Sequence, residues 1–233
     1  EVAANLATAF GRLGRSTLLA DFDTVNPSIA QRLGIPIVPN LLTTSDLIRQ
    51  GRFDATSVVP HPAGFAVVPG LANPREWDEL TSAEAGELVS VFREEFSVTL
   101  AAVHPMLEDL APLSGLEGRF DVSRRIVELA DEVMVVAAGS PVGLVRTLST
   151  IADIRGITSA PIHVVVNRMP SDGFLRAEWT RELTRTFTPM SLTFLPFDRG
   201  LSKAAWDGRL ADRGPFAREV RRFTSQLVGT WAA

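Results

Sequence analysis

The 233-residue chain is 45% hydrophobic and 21% charged, with a formal net charge of −4. That balance suits one α/β domain with a large core and argues against a broad nucleic-acid surface. The absence of cysteine excludes disulfides, thiolate metal sites and iron–sulfur clusters, and no apolar run approaches the ~18–20 residues of a membrane span.

Apolar residues at Val2, Leu6, Ala9, Phe10 and Leu13 predict a first helix over 2–13. Gly14 separates it from a short apolar strand, Ser16 to Ala20. The strand runs into two carboxylates spaced i, i+2, Asp21 and Asp23. An Asn26-Pro27-Ser28 turn then opens a helix to Leu33. Carboxylates at the end of a parallel strand lie where open α/β sheets gather ligand-binding groups. They serve equally well to cap the helix that follows.

Leu41 to Gln50 is predicted as helix and Gly64 to Pro69 as strand. Ser82 to Glu95 is predicted as a helix capped by Ser82, with Ala85, Leu88, Val89 and Phe92 on one face. Phe96 to Val103 reads as a buried strand. The Gly/Pro/Leu loop after it, His104 to Gly118, is long enough for a functional role. A helix over 122–129 and a strand over 132–138 precede a long helix to Ile154, started by Ser140 at the N-cap and Pro141 at N1. The strand Ile162 to Val166 ends at Asn167; a helix over 179–187 and a strand over 191–195 follow, the strand ending in Pro196-Phe197-Asp198. The last helix, 215–228, sets Phe216, Val220, Phe223 and Leu227 in an amphipathic stripe, for which packing on the domain's own core is expected over membrane contact. The alternation predicts an α/β fold, a mostly parallel sheet with helices on both faces, and 1–233 reads as a single domain. The histidines, His61, His104 and His163, are scattered and form no ligand pair.

In this order, the motifs resemble those of the ParA/MinD group of P-loop ATPases. Asp21 and Asp23 fall on the two aspartates of that group's Asp-x-Asp element before Pro-Ser. Val164-Val165-Val166-Asn167-Arg168 resembles its Val-Val-Asn-Arg/Lys strand, and Leu195-Pro196-Phe197-Asp198 followed by Ala204 to Gly208 resembles its loop near the nucleotide's sugar and base. The resemblance implies ATP and Mg2+ as cofactors. Asn167, with Arg168 beside it, would meet the adenine edge, where an amide offers a donor and an acceptor. Pro196 and Asp198 would lie near the sugar and base, Asp21 near the magnesium, and Asp23 would position or activate the attacking water. A strand-end cap is the alternative for Asn167, whereas Asp198 reads better as a plain turn residue.

The resemblance also implies a P-loop NTPase-like fold, a homodimer with ATP across it, and a cytoplasmic location, at most peripheral at the inner face of the membrane. The protein partner would be a positioning, pilus or secretion assembly. The Trp77 segment, the loop after Val103 and the run from Ala137 to Leu148 resemble an actinobacterial CpaE- or TadZ-like branch associated with Tad-type pilus loci. A tyrosine-kinase relative is excluded by the lack of tyrosine, and a nitrogenase-reductase relative by the lack of cysteine. A DNA-partition role would want a basic surface, but Arg181, Arg185, Arg218, Arg221 and Arg222 read as ordinary solvated helix faces.

The pattern departs from the group in two places. The phosphate loop and its lysine are not in the sequence, and Lys203 lies in the wrong context for that role. The strand before that loop is central in such a sheet, so its loss exposes two strand edges, and native residues before Glu1 are expected. Secondly, Ala102 stands where the second switch carries its aspartate, and Pro105 alone survives of the turn. Glu108 and Asp109 follow closely, but read as solvated loop charges. Two functions stay open: a slow ATP hydrolase with its lysine upstream, or a non-hydrolysing scaffold that keeps the fold for dimerisation and docking.

Overall fold

The computed structural model describes residues 1–109 and 117–231. Helix α1 (Val2–Arg12) and strand β1 (Thr17–Asp21) are followed by α2 (Ile29–Leu33), α3 (Leu41–Arg49), β2 (Val59–His61) and β3 (Phe65–Val68). A 3-10 turn (Pro74–Glu79), α4 (Ser82–Glu95), β4 (Val98–Ala102) and α5 (Asp121–Leu129) come next. The remainder alternates β5 (Val133–Ala138), α6 (Pro141–Arg155), β6 (Ile162–Met169), α7 (Gly173–Thr186), β7 (Ser191–Pro196), α8 (Arg199–Trp206) and α9 (Gly214–Trp231). Residues 110–116 of the predicted long loop lie outside the described residues.

The strands form two sheets, β2-β3-β1-β4 and β5-β6-β7, parallel throughout except for the β2–β3 hairpin. The predicted α/β class holds, but the single sheet is divided. Among the described residues β2, β4, β5 and β7 each pair on one side only.

Period-2 alternation assigns each strand's side chains to opposite layers. Leu18 and Ala20 of β1 pack with Leu88 and Phe92 of α4 and Ile126 of α5, whereas Leu19 packs with Ala4 and Ala7 of α1 and Leu33 of α2. In β6, Val164 and Val166 meet Ile151 of α6 and Leu183 of α7; Val165 turns the other way, to Phe10 of α1 and Phe223 of α9. Val98 of β4 joins that last cluster, so one helical layer crosses from one sheet to the other. Each large apolar side chain buried there contributes about 1.5–3 kcal/mol.

The stripe on α9 is core: Phe216, Val220, Phe223 and Leu227 are 0–4% exposed. Trp231 extends it by stacking on Phe10 at 5.4 Å and donating its indole N–H to Glu132 Oε1 at 2.9 Å. Two local expectations need correction. Thr81, not Ser82, caps α4, in a reciprocal capping box with Glu84. Helix α7 starts at Gly173, well before Trp179, because Asp172 accepts the amides of Phe174 and Leu175. No helix among the described residues is long and apolar enough to cross a membrane.

Candidate functional site

The parallel ladders bring the C-terminal ends of β1, β3 and β4 to one edge of the first sheet, and those of β5, β6 and β7 to one edge of the second. Two groups of predicted residues sit at these ends. Asp21 is the last residue of β1, and its register partner at the end of β4 is Ala102. The side chain opposite Asp21 is therefore a methyl group, which can neither hold an ion nor accept a proton.

Asp21 is 2% exposed. Its Oδ2 accepts the amides of Ser28 (2.8 Å) and Ile29 (3.0 Å), and its Oδ1 accepts that of Asp23 (3.3 Å). Burial pushes this carboxyl above the usual value, and the three amides pull against that effect. The chain before α2 thus folds back onto Asp21, because the first amides of a helix need an acceptor and Ser28 makes no side-chain cap. Gly70, after β3, lies against the same turn; a Cβ there would sit 2.6 Å from Pro27 Cβ and 3.1 Å from Asp21 Cγ. Through these amides Asp21 supports the turn that carries Asp23.

Asp23 differs. Its Oδ1 accepts the amides of Val25 (2.9 Å) and Asn26 (2.8 Å), while Oδ2 takes no hydrogen bond from the described residues. That free oxygen, on a half-buried side chain, is available to a water or hydroxyl.

The second group forms a shallow cleft of about 40 Å³ lined by Asn167, Arg168, Pro196, Phe197 and Asp198, with Glu1 and the Leu201 side of α8. All four residues predicted to hold the nucleotide are therefore brought together, and neither Asp21 nor Asp23 lines this cleft. Asn167 Oδ1 accepts the Arg168 amide at 2.9 Å, leaving its NH2 group unengaged among the described residues. Arg168 adopts φ = 56°, a left-handed conformation that costs a non-glycine residue about 1 kcal/mol or more. Asp198 caps α8 through the Gly200 amide (2.9 Å), so its turn role is present in the geometry. Phe197 is 53% exposed and offers an apolar wall. Phe197 belongs to the loop expected near the sugar and base, whereas Leu201 and the helical form of α8 were not foreseen. Among the described residues no group of three His, Asp or Glu side chains is arranged to hold a metal ion.

Other charges near the site are paired. Asp109 lies 3.6 Å from Arg124, while Glu108 is exposed. The arginines on α7 and α9 are largely balanced by their own helices: Arg181 by Glu178 and Glu182, Arg185 by Glu182, Arg222 by Glu219.

The chain has the fold of the ParA/MinD group of P-loop ATPases. It is similar to a ParA-family ATPase from Chlorobium tepidum, at a TM-score of 0.76 and 14% identity, covering 96% of this chain and 92% of that one. It is also similar to MinD in the MinC:MinD cell division complex of Aquifex aeolicus, with a TM-score of 0.74, 17% identity and coverage of 98% and 89%. A third match is cobyrinic acid a,c-diamide synthase from Mycobacterium smegmatis with bound ADP and magnesium, with a TM-score of 0.72, 15% identity and coverage of 100% and 89%. No family model and no curated protein matches the sequence. A fold shared by partition, septum-placement and biosynthetic proteins leaves function to be argued from the site.

Proposed function

We propose that this chain is a ParA/MinD-like ATP-binding protein that positions or assembles a partner complex through an ATP-dependent dimer. The observation that carries the reading is the cleft at the ends of β6 and β7, where Asn167, Arg168, Pro196 and Asp198 converge beside Phe197. The free Asn167 NH2 donates to an adenine ring nitrogen, and Phe197 covers the base with apolar surface. Arg168 adds positive charge beside it, and Pro196 with Asp198 shapes the wall near the sugar. Bound ADP and magnesium in the similar Mycobacterium enzyme support ATP and Mg2+ here. The ion supplies charge neutralisation on the phosphates. At the other end of the site Asp23 Oδ2 orients the attacking water, and Asp21 holds the turn that carries Asp23.

The MinC:MinD complex supports a protein partner; a Tad-type pilus or secretion assembly at the cytoplasmic face of the membrane is the finer reading, resting on the Trp77 and Ala137–Leu148 segments. The paired arginines on α7 argue against DNA. A second reading, a scaffold that binds ATP without hydrolysing it, is favoured by Ala102 opposite Asp21. The test is phosphate release, with light scattering for mass, on the native-length protein with and without Mg-ATP. Turnover with a doubling of mass supports the ATPase switch. Doubling without turnover supports the scaffold, and neither change overturns both.

A further inference from the structure

We infer that Arg119 is a positioning residue that clamps the Asp21–Asp23 turn to the start of α5, and thereby to the loop leaving β4. It deepens the proposed function, because its effect on turnover rests on the role given there to Asp23. Thr24, 1% exposed, donates its hydroxyl to the Arg119 carbonyl at 2.9 Å. In return, Arg119 Nη2 donates to the Thr24 carbonyl at 3.4 Å and to the Pro74 carbonyl at 3.2 Å. The clamp joins segments 95 residues apart in the chain, and it closes directly behind Asp23.

The same end of α5 holds the other loop. Ser123, fully buried, accepts the His104 amide at 3.2 Å, and Arg124 Nη1 donates to the Leu107 carbonyl at 2.6 Å. His104 also stacks on Phe120, with ring centroids 5.6 Å apart. The turn bearing the free carboxylate oxygen and the loop following Ala102 therefore share one support, four consecutive-turn residues of a single helix start. A displacement of the turn must break the Thr24–Arg119 contacts, and one of the loop must break those to Phe120, Ser123 and Arg124. Arg119 Nε is a buried donor without a partner among the described residues, so the guanidinium retains a bonding position that the resting contacts do not use.

The variants are Arg119→Ala, Thr24→Val, which keeps the buried shape but removes the hydroxyl, and Arg119→Lys. On the native-length protein without nucleotide, amide hydrogen exchange reports the turn through Val25, Asn26, Ser28 and Ile29, and α9 serves as the control. Arg119→Ala and Thr24→Val are expected to speed turn exchange about tenfold while α9 stays unchanged, and Arg119→Lys to restore part of the protection. Turnover is expected to fall about tenfold in Arg119→Ala with the ATP Kd within about threefold, the split of a residue that positions chemistry and does not bind substrate. Unchanged turn exchange, or acceleration spread equally over α9, overturns the inference. Equal losses of affinity and turnover overturn it as well. If the wild-type protein shows no turnover, the hydrolytic reading fails by itself, and the exchange comparison still decides whether Arg119 holds the turn.

Discussion

Replacing Asp21 by alanine separates its work as a turn support from any work as a ligand. The substitution removes the acceptor of three backbone amides, those of Asp23, Ser28 and Ile29, inside a turn where Asp21 is 2% exposed. A hydrogen bond to a charged acceptor contributes about 1.5–3 kcal/mol, and loss of a helix N-cap costs about 0.5–2 kcal/mol. The cost of burying the carboxylate offsets part of this, since burial raises its pKa. A net loss of about 2–4 kcal/mol follows, which at ~2–4 °C per kcal/mol lowers Tm by about 5–15 °C. The assay is thermal unfolding without nucleotide, with and without magnesium. The pH dependence has a definite sign. A carboxyl whose folded pKa lies above its unfolded value of 3.8 contributes stability that is complete below that value and declines as pH rises through the folded one. The gap between wild type and Asp21→Ala therefore widens as pH is lowered from neutrality towards 3.8. A Tm within about 2 °C of wild type, or a gap that narrows on acidification, would refute the reasoning.

Further perturbations test other parts of the structure. Phe223→Ala empties a site that is 1% exposed between α9 and β6 and should cost about 3–5 kcal/mol in chemical denaturation, whereas a membrane-gripping residue would show little change. Gly143→Ala puts a Cβ 2.2 Å from the Ala138 carbonyl oxygen where α6 leaves β5, and should lower stability by about 1–3 kcal/mol or more in the same assay. His163, 3% exposed, has its pKa lowered by burial against the opposing pull of Glu132, so wild type should lose stability as pH falls below 6.5. His163→Gln should flatten that slope relative to wild type, leaving the contribution of His61, which burial lowers in the same way.

Much of the fold was legible because buried parallel strands read as apolar runs and their C-terminal ends carry the informative polar residues. Thus β1, β4, β6 and α4 fall close to their predicted bounds. Helix α8 was not legible: it is eight residues long, opens on Arg199 and Gly200, and none of its residues is buried. Strand β2 escaped because it is three residues long, contains Pro60 and pairs only at an edge. At the site, strand ends and the family resemblance pointed to Asp21, Asp23, Asn167 and Asp198, but they did not reveal that both Asp21 oxygens accept backbone amides while Asp23 keeps one free among the described residues. That distinction depends on how the Pro27 turn folds back. The link between Thr24 and Arg119 left no local pattern at all, because it is tertiary.

The central claim is that the cleft at the ends of β6 and β7 binds the base of ATP. Calorimetric titration of the native-length protein and of Asn167→Ala with Mg-ATP tests it most directly. The account predicts a Kd of about 1–10 μM for wild type, weakened about tenfold or more by the substitution, a loss of ~1.4 kcal/mol or greater. No binding heat for wild type at ~1 mM ATP, or equal affinity in the variant, would contradict it.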